Sequence, residues 1–228
     1  MIPLRDENPT QRIPYVVYAL IAVNVFLFLY NGVAHPGPLA GFELIPYELV
    51  TGRDIGPPTP VPAWMTIFSS MFMHANLLHI GGNMLYLWIF GNNIEDILGH
   101  FRFLAFYLIA GLAAALAQVA QSPGSEIPMV GASGAIGGVL GAYLILFPRA
   151  RIISVVFFVF IQVIALPASV VLGMWIILQV INSIVFSIGT TGEGGVAYAA
   201  HVGGFLSGIG MIYILGGKRL LNGRRIGY

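Results

Sequence analysis

Residues 130–138 read VGASGAIGG. A single hydroxyl, on Ser133, sits among residues with almost no side chain. On a helix starting at Ser133, positions i+4 and i+8 are Gly137 and Gly141, both on the serine's face. Such a stripe lets a second helix backbone come close. The last apolar segment supplies a match, because His201 is followed at i+3 and i+7 by Gly204 and Gly208. Two helices packed stripe to stripe would bring the Ser133 hydroxyl within about 2.6–3.2 Å of a His201 nitrogen. Alone, a serine among glycines is more often a packing residue than a nucleophile. The paired stripes are what favour chemistry, with the missing bulk making room for a histidine.

The surroundings set the solvent. Of 228 residues, 57% are hydrophobic and 8% charged, against about 25% charged in a typical soluble domain. Mean hydropathy is +0.87. These values predict an all-α integral membrane protein. A net charge of +1 gives no reason to propose nucleic acid as a partner. The absence of cysteine excludes disulfides, thiolate zinc sites and thiol nucleophiles.

Apolar runs predict six spans, at 14–33, 76–93, 103–121, 133–147, 166–188 and 198–215. The first is too long for a signal-peptide core and is read as retained. This divides the chain into a cytoplasmic leader (1–13), a six-span domain (14–217) and a basic cytoplasmic tail (218–228). Residues 152–165 are too short for a span before Pro167 and are assigned to the membrane interface. With six spans, nine of the ten basic residues share one side and only Arg53 lies on the other. That fits a cytoplasmic N-terminus. In the outer connections, GFELIPYELV (41–50) is suited to resting on the bilayer. GTTGEGG (189–195) has the composition of a mobile lid.

Polar side chains inside a membrane are functional suspects. His79, Asn83, Ser133 and His201 lie near the outer ends of their spans. Counting back from Glu95 to His79 and from Arg149 to Ser133 gives 16 residues each, and from Lys218 to His201 gives 17. At 1.5 Å per residue these are depths of about 24–26 Å. Three spans therefore place polar groups at one level. His201 can take the Ser133 proton. No acidic residue lies mid-span, so the expectation is a dyad. His79 and Asn83, with the Ser133 N–H, are candidates for an oxyanion hole. His74 is read as a loop or interface residue, His35 and His100 as solvated. The three tryptophans need nothing beyond packing or an interfacial position.

Three motifs carry a resemblance: HANLLHIGGN (74–83), GASGAIGGVLGAY (131–143) and AAHVGGFLSG (199–208). In this order and sidedness they resemble the rhomboid family of intramembrane serine proteases, and MIPLRDENPT with the six-span layout resembles bacterial members. The resemblance implies a six-helix bundle, Ser133 as nucleophile, His201 as base, and His79 and Asn83 as oxyanion donors. It implies an endopeptidase without metal or cofactor that cleaves transmembrane segments of other proteins, in a bacterial plasma membrane with both termini cytoplasmic. Many rhomboids carry an aromatic four residues after the nucleophile, packed on the histidine. Here Gly137 stands there, and Tyr198 is the candidate substitute. The competing reading is a non-catalytic rhomboid-like protein that binds membrane helices, which predicts loss of Ser133 or His201. A transporter, with Gln118, Gln179, Asn182 and Asn24 along a polar path, would spread its polar residues across depth.

Overall fold

The computed structural model describes residues 1–32, 38–55, 58, 60–157, 160–188 and 196–225. Strand β1 (Ile2–Asp6) precedes helix α1 (Tyr15–Asn31). A short helix α2 (Pro46–Thr51) and a turn-rich helical stretch, Ala63–Phe72, that contains α3 (Thr66–Ser69), lead into α4 (Leu77–Tyr86). A wide π turn at Leu87–Gly91 carries α4 into α5 (Asn92–Leu98). Then come α6 (His100–Gln121), α7 (Ser133–Leu146), strands β2 (Arg151–Phe157) and β3 (Ile161–Pro167), and helices α8 (Ala168–Ile188), α9 (Tyr198–Ile214) and α10 (Gly217–Arg225). Helices stand at all six apolar runs. Among the described residues, α6 and α8 are the helices long and apolar enough to cross a membrane, while α1, α7 and α9 are shorter apolar helices.

The all-α expectation needs correction. β1, β2 and β3 form a three-stranded antiparallel sheet in that order. The stretch assigned to the interface is dense in Ile, Val and Phe, the residues that suit a pleated surface. Pro167, at the end of β3, pairs with Arg151, and α8 begins only after it. The leader supplies β1, whose Ile2 pairs with Val155 and whose Asp6 pairs with Ile152. The Tyr143 hydroxyl donates to Asp6 Oδ2 (2.7 Å), tying the sheet to α7. Burial pushes the Asp6 carboxyl up to about 6, although this hydrogen bond pulls the other way.

Helix α7 is the centre of the fold. Residues from Gly134 to Tyr143 are all buried, chiefly against α9 and α6. Tyr143, Phe90, Phe103, Phe106 and Tyr107 fill the space between α7 and the α4–α6 side. The start of α1 is fixed by a distant group. Glu95 accepts from Val16 N (2.9 Å) and Val17 N (2.8 Å), two donors with no partner inside the helix. His100 Nδ1 lies 2.6 Å from the same carboxylate. His100, the first residue of α6, is therefore a half-exposed hydrogen-bond partner of buried Glu95 rather than a loop residue. The 41–50 segment also differs from expectation. Leu44 is fully buried against Ile67 and Ala115, and its backbone pairs with Met129, so this segment packs on protein. His35 and the 189–195 stretch lie outside the described residues.

Candidate active site

Ser133 is the first residue of α7. Gly131, at φ +121°, turns the chain into it. A Cβ on Gly131 would lie 2.6 Å from His79 Nε2 and 3.5 Å from Asn83 Nδ2, so only glycine admits these two side chains here. The first helical bond of α7 runs from Ile136 N to Ala132 O (3.0 Å). The N–H groups of Ser133, Gly134 and Ala135 precede it and have no acceptor within the helix.

The glycines of α7 and α9 face one another at close range. A Cβ on Gly204 would overlap the Gly134 carbonyl oxygen, one on Gly208 the Gly138 carbonyl, and one on Gly141 the Phe205 carbonyl. A Cβ on Gly137 would lie 3.0 Å from His201 O. α7 and α9 thus touch backbone to backbone. Gly134 and Gly138 belong to the seam as well, although they lie off the serine's stripe. The seam brings His201 Nε2 to 2.8 Å from Ser133 Oγ.

His201 is held from its other side too. Its Nδ1 lies 2.8 Å from Gln179 Oε1 on α8. Trp175, one turn earlier on α8, packs its ring at 5.7 Å from the imidazole with a 36° tilt. Tyr198 stands edge-on at 6.4 Å. Two rings, one of them anticipated, therefore flank the histidine where Gly137 supplies none. Gln179 escaped notice as a partner because an isolated glutamine 22 residues from His201, on another helix, belongs to no spacing pattern.

His79 and Asn83 project from α4. Asn76 caps this helix, its Oδ1 accepting from His79 N (2.9 Å). Ala75 N donates to His79 Nδ1 at a long 3.5 Å, which leaves Nε2 as the hydrogen-bearing nitrogen, toward Gly131. Asn83 is buried, and its Nδ2 finds no acceptor among the described residues. His74 lies in the loop before α4, where it is buried and sets its ring edge against His79 at 5.1 Å. A cavity of about 510 Å³ is lined by Ser133, His201, His79, Asn83, Gly131 and Trp175, among others. Ser133, His201 and two donor side chains thus line one space. Such an arrangement can activate a hydroxyl and stabilise a developing oxyanion.

The family model described as Rhomboid domain matches residues 62–218, which include every one of these side chains. The chain belongs to the rhomboid family. It is 30% identical over 201 residues to "Rhomboid protein 1, mitochondrial" of Saccharomyces cerevisiae, covering 85% of this chain and 51% of that protein. It is also 30% identical over 135 residues to "Rhomboid protease GluP" of Bacillus subtilis, covering 58% of this chain and 24% of that one. To the human "Presenilin-associated rhomboid-like protein, mitochondrial" it is 33% identical over 142 residues, covering 61% and 35%. The chain thus aligns with about half, or less, of the length of these relatives. As a rhomboid it is a helical membrane protein, of a family of which at least one relative is named a protease.

Proposed function

We propose that this rhomboid is an intramembrane serine endopeptidase that cleaves transmembrane segments of other proteins. The observation that carries the reading is the 2.8 Å contact between Ser133 Oγ and His201 Nε2 inside a cavity. The hydroxyl donates to Nε2. On attack, the Oγ–carbon bond forms and the proton passes to the imidazole. His79 Nε2, Asn83 Nδ2 and the Ser133 N–H receive the oxyanion. Collapse breaks the C–N bond, and the imidazolium returns its proton to the leaving amine. Water, deprotonated by the same imidazole, then hydrolyses the acyl ester.

The topology that goes with this reading has six crossings and both termini on the cytoplasmic side, in a bacterial plasma membrane. It supports the reading that α7 has 14 residues, about 21 Å of helix, less than the roughly 30 Å hydrocarbon core. With its C-terminal end at the inner boundary, Ser133 lies below the outer one, where a span can reach it laterally. The experiment is cleavage of a transmembrane reporter by purified protein in liposomes. Wild-type protein cleaves, and folded Ser133→Ala and His201→Ala do not. Cleavage by Ser133→Ala at the wild-type rate would overturn the reading.

A further inference from the structure

We propose that Gln179 is the positioning residue of the catalytic base, so that the unit at work is Ser133–His201–Gln179 with a neutral amide in third place. The proposal rests on the dyad reading above. Its own footing is the geometry of one amide. Gln179 Nε2 donates to Trp175 O at 3.4 Å, one turn back on the same helix. That bond turns Oε1 toward His201, where it lies 2.8 Å from Nδ1. An amide oxygen only accepts, so Nδ1 must carry the hydrogen. The lone pair then falls on Nε2, the nitrogen facing Ser133 Oγ. The opposite tautomer would set two lone pairs against each other at Nδ1 and leave the base unable to receive the serine proton. After proton transfer both ring nitrogens are donors. The Gln179 contact persists through the step and keeps the imidazolium in place.

Beyond Ser133 and Gln179, the ring meets Tyr198 edge-on and Trp175. Gly137 places no side chain beside it, and what bounds it on the α8 side is Trp175 and Gln179. These two are four residues apart and so share a face. The other side of α8, with Met174, Ile177, Leu178 and Ile181 each about half exposed, faces away from the protein. Gln179 is the one polar side chain in the run 170–181, and it is satisfied by the base on one side and its own backbone on the other. The neutral group suits the site, because a carboxylate at this depth would add a charge to be desolvated.

The test compares Gln179→Leu, Gln179→Met and Gln179→Glu with wild type, Ser133→Ala and His201→Ala, all in liposomes on the transmembrane reporter. Leu removes the acceptor. Met keeps the length of the side chain without the oxygen, and serves where Leu fails to insert. Glu retains an acceptor oxygen whether ionised or protonated. Outer partners that orient working imidazoles carry about 10–100-fold in activity at metal sites, and the same range is expected here. Gln179→Leu and Gln179→Met should lower kcat by about 10–100-fold with KM within about twofold, since substrate contacts are intact. Gln179→Glu should restore most of kcat. A purely structural glutamine would lower melting temperature and active fraction without this split or this rescue. If Ser133→Ala is inactive while the Leu and Met variants keep wild-type kcat, or if Glu is as impaired as they are, the positioning role is wrong and the dyad stands. If Ser133→Ala cleaves, both readings fall.

Discussion

Gly204→Ala adds one methyl group to the seam between α7 and α9, and its consequences can be worked from the structure. The new Cβ would sit on the Gly134 carbonyl, overlapping the oxygen and 2.9 Å from the carbon. Neither atom belongs to a flexible side chain, so the helices must move. The carbon alone requires about 0.5 Å to reach ordinary contact near 3.4 Å, and the oxygen requires more. A separation of roughly 1 Å follows in a closely packed interior. Gly204 lies one turn from His201, so the Ser133–His201 distance opens from 2.8 Å toward about 3.8 Å, beyond hydrogen-bond reach. Overpacking of this kind costs about 1–3 kcal/mol of stability, which a membrane-inserted bundle can survive. Misplacement by about 1 Å costs roughly 10²-fold in rate. Gly210→Ala is the control. Nothing lies within 4 Å of its Cβ, and alanine in a helix is favoured over glycine by up to about 1 kcal/mol. The assay is the rate of fluorophosphonate labelling, alongside thermal melting in detergent. Gly204→Ala should label about a hundredfold more slowly, and Gly210→Ala at the wild-type rate with unchanged or higher melting temperature. Wild-type labelling by folded Gly204→Ala would refute the claim that backbone contact along this seam sets the dyad.

Three further expectations follow from other parts of the molecule. His79→Ala and Asn83→Ala should each slow reporter cleavage by about 10²–10³-fold, the cost of one lost oxyanion donor, and an unchanged rate in the double variant would remove both from that role. Because the Asp6 carboxyl is pushed up to about 6 by burial, the fold holds its proton more tightly than the unfolded chain does. The contribution of Asp6 to stability should therefore be fullest below about pH 4 and decline as pH rises through about 6; melting temperatures of Asp6→Asn should lack that part of the slope, and an identical slope in the variant would contradict it. Glu95→Ala strips the acceptor from Val16 N, Val17 N and His100, and should destabilise the protein by at least about 2 kcal/mol, read by denaturant unfolding in detergent.

What the sequence made legible is what local spacing encodes. Helix positions followed from apolar runs, and the α7–α9 seam from glycines at i+4, i+8 and i+3, i+7. Ser133 and His201 followed because each heads a stripe. The sheet was hidden because residues 152–165 are apolar enough to read as membrane-associated, and their β-branched content was outweighed by that solvent argument. The pairing of β1 with β2 joins residues about 150 positions apart, which no local pattern reports. Gln179, Trp175 and Glu95 were missed for a shared reason. Each acts on an element distant in sequence, and each is of a residue type that packing or solvation explains when read alone.

The central claim is that Ser133, activated by His201, is the nucleophile. It is tested most directly by treating the membrane-reconstituted protein with a fluorophosphonate and locating the adduct by peptide mass spectrometry. One modified residue, Ser133, is expected, and no such adduct in folded His201→Ala. An adduct on another residue, or undiminished modification of Ser133 in His201→Ala, would contradict it.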